Sequence, residues 1–93
     1  MTITRINEFQ AAIDKSDELH AYLLALIPYI SASEGCISCE VLRSMDQVDV
    51  FVFIEKWESI AHHKKSIENF PKDDMQKAMH LFGAPPKGRY YHN

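Results

Sequence analysis

Glycine, cysteine and basic charge are all scarce in this chain of 93 residues. It has three glycines and two cysteines. Gly35, Gly83 and Gly88 are all turn candidates. No glycine-rich loop is left to cradle a phosphate, which argues against dinucleotide or flavin binding through such a loop. Two cysteines do not make a disulfide scaffold. Ten basic residues against 13 acidic ones, a net charge of −3, give no basic footprint for nucleic acid. No stretch approaches the roughly 20 apolar residues of a membrane span. The alternating segment from Met1 to Gln10 lacks the apolar run of a secretory signal. The expectation is a cytoplasmic protein with reduced thiols and no nucleic-acid or membrane partner.

What is present is an even mixture, 46% hydrophobic and 25% charged, as in an ordinary globular chain. The length predicts one domain over residues 1–93. A domain of this size buries only about two-thirds of the surface its unfolded chain exposes, so it often leans on a partner subunit.

The polar and apolar periods predict seven elements. A strand runs from Ile3 to Phe9 and a helix from Ser16 to Ser33. The apolar positions Leu19, Tyr22, Leu23, Leu26, Ile27 and Ile30 make one helical face. Ser16 is the expected cap of this helix, and Pro28 predicts a kink or an early tightening. Strands Cys36–Arg43 and Asp49–Trp57 flank the turn Ser44–Gln47 and form an antiparallel hairpin. Ser59 caps a helix that ends near Asn69, and Pro71 separates it from a second one. Met75, Ala78, Met79 and Phe82 give that second helix its apolar stripe. Gly83, Pro85 and Pro86 end it, and Gly88–Tyr91 reads as a closing strand.

The order β-α-β-β-α-α-β is a ferredoxin-like α+β arrangement with an antiparallel sheet covered by helices on one face. Val50, Phe51, Val52, Phe53 and Ile54 are apolar on both faces of their strand. The face without helices therefore needs a cover. A second copy of the chain, giving a homodimer, is the simplest one, and a hydrophobic ligand or another partner is the alternative.

Several side chains carry candidate chemistry, each beside a plainer role. Cys36 and Cys39 form a C-x-x-C. On a regular strand they would point to opposite faces, about 10 Å apart and beyond disulfide reach, so they read as structural thiols rather than a redox or zinc pair. Five histidines supply the neutral-pH base chemistry: His20, His62, His63, His80 and His92. His63 follows Ile60 and precedes Ile67 on the apolar helix face, so it turns inward, as a base or as packing. His62 faces solvent more, His80 abuts Met79 and Phe82, and His20 and His92 read as surface residues. His62 to Lys65 is a solvated basic run. Trp57 shares a strand face with Phe51, Phe53 and Glu55, as pocket walls or as core. Asn7 lies on a face with Ile3 and Phe9, where a buried amide needs a partner. Arg5, on that face too, either holds an anion or makes an interface salt bridge.

Glu34-Gly35-Cys36-Ile37-Ser38 resembles the EPGC-x-x-Y entry of the antibiotic-biosynthesis monooxygenases. Ile54-Glu55-Lys56-Trp57-Glu58-Ser59 is similar to that family's x-E-x-W-x-S signature, and Pro85-Pro86 with Arg89-Tyr90-Tyr91 to its closing strand. The similarity runs over nearly the whole chain. It implies a dimeric α+β barrel with a pocket between sheet and helices in each subunit. It also implies oxygen chemistry on electron-rich aromatics without flavin, haem or metal. Many members carry a histidine where Ser66 stands, and the anthrone-oxidising members an asparagine at the position of Phe53. Asn7 matches the first-strand asparagine of haem-degrading relatives, whose second tryptophan is absent here.

The sequence thus predicts a cofactor-independent monooxygenase of a small hydroxylated aromatic, quinol- or anthrone-like. His63 would remove a phenolic proton and Asn7 would steady the oxyanion. Trp57, Phe53, Phe51 and Arg5 would contact the substrate. The alternatives are a haem-degrading relative with His80 as iron ligand, and a non-catalytic dimer that binds a small ligand.

Overall fold

Alternation and helical spacing set which residues face the core, and the chain folds to satisfy both. A computed structural model describes residues 2–93. It contains β1 (Ile3–Gln10), α1 (Ser16–Ala32), β2 (Cys36–Arg43), β3 (Val50–Trp57), α2 (Ile60–Asn69), α3 (Lys72–Ala78), a 3-10 turn (Met79–Leu81) and β4 (Lys87–Tyr91). The strands form one antiparallel sheet in the order β2-β3-β1-β4, the ferredoxin-like arrangement.

Helix α1 lays Leu19 and Leu23, both fully buried, on Phe9, Phe51 and Phe53 of the sheet. Burying each leucine contributes about 1.5–3 kcal/mol. Phe9 meets Phe53 edge to face, with centroids 5.5 Å apart. Ser16 is not the cap of this helix. Lys15 occupies the N-cap without a side-chain hydrogen bond, and Asp17 and Glu18 supply the first-turn negative charge. The helix runs on past Pro28 to Ala32, close to the expected end at Ser33. Gly35 then reverses the chain at φ 83°, with the His62 ring packed where a Cβ would go. Ser59 caps α2 as expected, its Oγ accepting from the His62 backbone N–H at 3.2 Å.

One expectation about facing needs correction. A β-bulge between Cys36 and Ser38 shifts the register, so Cys36 pairs with Trp57 and Cys39 with Glu55. Both thiols therefore lie on the helix-covered side of the sheet, since paired residues share a face. In the second helical piece Met75 is 41% and Met79 59% exposed, while Ala78 and Leu81 are buried. All four stripe residues still turn toward the sheet, with Phe82 packed on the core and Met75 and Met79 lining the space beneath the helices.

The uncovered face of the sheet carries Ile6, Val52, Ile54 and Leu42 side by side, through the pairs Ile6–Ile54 and Leu42–Val52. Glu8, Glu40, Lys56, Lys87 and Arg89 border them. No helix of the described residues is long and apolar enough to cross a membrane.

Candidate functional site

Between the sheet and the three helices lies a cavity of about 580 Å³. This falls within the roughly 300–1,000 Å³ of small-molecule sites. Phe9, Phe53 and Trp57 form its floor, Leu26 and Ile30 of α1 one wall, and Ile67, Phe70 and Met79 the other. Backbone bonds from Ala12 to Leu81 and from Gly83 to Gln10 pin the 3-10 turn to the end of β1 and close the Phe9 end. Two further surface depressions are lined mostly by polar and charged residues.

The other end is polar. Asn7, Glu55, His63 and Ser66 reach the cavity there. The inward side of β3 brings Phe51, Phe53, Glu55 and Trp57 to one face, and all four are buried. The Trp57 indole Nε1 donates to Glu55 Oε1 at 2.9 Å. From α2, His63 lies 4% exposed, with Nε2 3.9 Å from the same Oε1. Its other nitrogen, Nδ1, is 2.7 Å from the phenolic oxygen of Tyr90 on β4. Arg5, the β1 neighbour of both Glu55 and Tyr90, lays its guanidinium 4.6 Å from the centre of the Tyr90 ring.

Burial governs the protonation of this cluster. Desolvation, aided by the Arg5 charge, lowers the His63 pKa from 6.5 to about 4. The ring is therefore neutral at pH 7, and the 3.9 Å approach to Glu55 is not an ion pair. Desolvation raises the Glu55 pKa, an effect opposed by the Trp57 hydrogen bond and the Arg5 charge. Burial likewise pushes the Cys39 thiol up to about 12, with Glu55, Cys36 and Glu40 adding to it. Neither cysteine is a thiolate, since the Cys36 pKa is also raised, first by desolvation.

Of the residues singled out in the sequence, Asn7, Phe53, Trp57 and His63 converge on the cavity. Phe51 does not line it. That ring is fully buried in the core, stacked on His20 at 5.2 Å and capped by Arg43 at 5.1 Å. His20 is accordingly half-buried rather than a surface residue. Arg5 also fails to reach the cavity wall, because its guanidinium turns toward Tyr90. His80 is exposed on the 3-10 turn, away from the lining, which leaves the haem reading without its ligand in the cavity. Ser66 hydrogen-bonds to the Ser33 hydroxyl at 3.0 Å, and its carbonyl accepts from the Tyr29 hydroxyl at 2.8 Å.

The sequence assigned no chemical role to Glu55, Tyr90 or Tyr22. The signal for Glu55 was there: a carboxylate at an inward position of an otherwise apolar strand face needs a partner. Tyr90 carried no such signal, since its partners lie on β1 and α2. Tyr22 lines the cavity with a buried hydroxyl that has no protein partner among the described residues.

The family model for antibiotic biosynthesis monooxygenase matches residues 2–80. No curated protein matches the chain. Among solved structures, a protein from Shewanella oneidensis is 28% identical with a TM-score of 0.81, over 99% of this chain and 90% of that one. A Pseudomonas aeruginosa protein is 21% identical with a TM-score of 0.86, over 99% and 94%. SnoaB from Streptomyces nogalater, a cofactor-independent oxygenase solved as a mutant, is 14% identical with a TM-score of 0.79, over 99% and 92%. The structural likenesses carry the fold, and the family model covers most of the chain. The chain belongs to the antibiotic biosynthesis monooxygenase family.

Proposed function

We propose that this protein is a cofactor-independent monooxygenase of a small hydroxylated aromatic compound, quinol- or anthrone-like, and that its single domain works as a homodimer. The observation that carries the reading is the cavity itself, apolar along its length and ending in Asn7, Glu55 and His63. An electron-rich aromatic fits such a space with its ring between Trp57 and Phe53 and its hydroxyl at the polar end. Loss of the hydroxyl proton there gives an anion able to pass one electron to oxygen. The superoxide and substrate radical then join as a peroxide anion on a ring carbon bearing hydrogen, and return of the hydroxyl proton makes it a hydroperoxide. Loss of water from that carbon leaves a carbonyl. One oxygen atom ends in the product and the other in water, and the substrate supplies all the electrons. Asn7 steadies the oxyanion with its amide, and Arg5 adds positive potential from behind Tyr90.

The open sheet face supports the dimer. Its row of Ile6, Val52, Ile54 and Leu42, bordered by charges of both signs, has the pattern of an interface core and rim. The test is oxygen uptake by purified protein, free of metal and flavin, with a panel of quinols and anthrones. Uptake above the protein-free rate is expected. Tight binding of the same compounds with no added uptake would replace this reading by that of a ligand-binding dimer.

A further inference from the structure

We infer that Glu55 takes the substrate's proton, while His63 donates a hydrogen bond from Nε2 to the oxyanion left behind, held in that tautomer by Tyr90. This rests on the proposed reaction but concerns groups whose states can be read without turnover.

The argument starts from the nitrogens of His63. Nδ1 is engaged by the Tyr90 hydroxyl at 2.7 Å, and Nε2 is turned toward Glu55 Oε1. A neutral imidazole has one donor and one acceptor nitrogen. If Nδ1 carried the proton, the bare Nε2 would face a carboxylate oxygen, lone pair against lone pair. With the proton on Nε2, Tyr90 donates to Nδ1 and the N–H points at the carboxylate. The bonding pattern therefore selects the Nε2–H tautomer. No bare nitrogen is left to act as a base.

The separation of 3.9 Å between Nε2 and Oε1 is too long for a hydrogen bond, yet it suits a guest. An oxygen standing off the line between them lies about 2.8 Å from both, a normal hydrogen-bond distance. A substrate hydroxyl placed there gives its proton to Glu55 and accepts the Nε2–H. The step balances as phenol plus carboxylate going to phenolate plus carboxylic acid. The acid returns that proton to the peroxide anion to give the hydroperoxide, and the regenerated carboxylate then takes the ring-carbon proton as hydroxide leaves and passes it on, completing the water. A carboxylate base beside an uncharged imidazole donor is a division of labour that buried environments favour.

The neighbours of Glu55 support this use. Trp57 on its own strand holds Oε1, Arg5 faces it from β1, Cys36 and Cys39 lie toward it from β2, and His63 covers it from α2. Arg5 is the only permanent charge among these, and the thiols stay protonated. Desolvation makes Glu55 a stronger base than an exposed carboxylate, and it makes His63 too weak a base to keep a proton.

Two measurements test the proposal. Nitrogen-15 NMR of the histidine rings at pH 7 is expected to show His63 neutral and protonated on Nε2. In Tyr90→Phe the tautomers should mix while the melting temperature stays close to that of the parent. Protonation on Nδ1 in the parent protein, or an unchanged spectrum in Tyr90→Phe, overturns the role of Tyr90 and the donor role of His63. The second measurement uses 4-nitrophenol, whose absorption separates phenol from phenolate. Bound to the parent protein it should ionise at a lower pH than free in solution. Glu55→Gln should raise the bound value by about one unit or more, a tenfold change in the equilibrium. His63→Gln keeps an N–H donor and should change it less. If His63→Gln abolishes ionisation and Glu55→Gln leaves it intact, Glu55 is not the base. These readouts stand even if no quinol is oxygenated, whereas failure of oxygen uptake alone removes the proposed reaction.

Discussion

Gly88 lies directly beneath the guanidinium of Arg5, where a Cβ would collide with Arg5 Nη2 and crowd Asn7 Oδ1. The two residues belong to neighbouring strands, with Gly88 paired to Asn7. The glycine thus makes room for two of the side chains that shape the polar end of the site.

Gly88→Ala should therefore separate function from stability. The obstruction is the far end of a flexible side chain, so the fold accommodates the methyl by swinging Arg5 aside. The expected outcome is a melting temperature within a few degrees of the parent, with nitrophenol affinity about tenfold weaker, or about 1.4 kcal/mol. Unchanged affinity would show that Arg5 and Asn7 do not shape the site.

Phe53 and Phe51 are expected to behave differently although they alternate on one strand face. Phe53→Leu should weaken ligand binding by about tenfold, because that ring floors the cavity. Phe51→Leu should cost stability, by about 1–2 kcal/mol, and leave binding unchanged, since its ring is enclosed in the core. Calorimetric titration beside urea unfolding reads both.

Acid should destabilise the fold through His63. Its folded pKa of about 4 lies below the ordinary 6.5. The neutral ring therefore contributes stability in full above pH 6.5, and this is lost as pH falls toward 4. Glu55 runs the other way. With its pKa raised on folding, its contribution is present below the unfolded value and fades as pH rises through the folded one. In His63→Gln the loss of stability between pH 7 and pH 4 should shrink by about 2 kcal/mol. Denaturant unfolding at the two pH values measures it, and an equal loss in both proteins contradicts the assignment.

Val52→Lys in the middle of the uncovered sheet face should break the proposed dimer. Sedimentation is expected to give about twice the 10.7 kDa chain mass for the parent and that of one chain for the variant. A parent that sediments as a monomer at micromolar concentration removes the dimer from the proposal.

Ser59→Ala should remove the cap of α2, the helix that carries His63. The expected cost is about 0.5–2 kcal/mol, because the His62 backbone N–H loses its acceptor. Thermal unfolding measures it.

Local chemistry alone determined much of this molecule. The alternation in β3 places Phe53, Glu55 and Trp57 on one side and Val52 and Ile54 on the other, whatever the partner strands are. Helical spacing turns His63 inward, and Ser59 and Pro71 mark where α2 starts and stops. Tertiary structure decided which of these inward residues meet. Arg5 lies against Tyr90 because β4 pairs with β1 in the register Arg5–Tyr90. Cys36 and Cys39 share a face because a bulge adds one residue to β2. Glu55, His63 and Tyr90 come together from β3, α2 and β4, elements with no common period in the chain. A period sets the face on which a side chain lies, whereas its partners depend on long-range register and on how the helices dock.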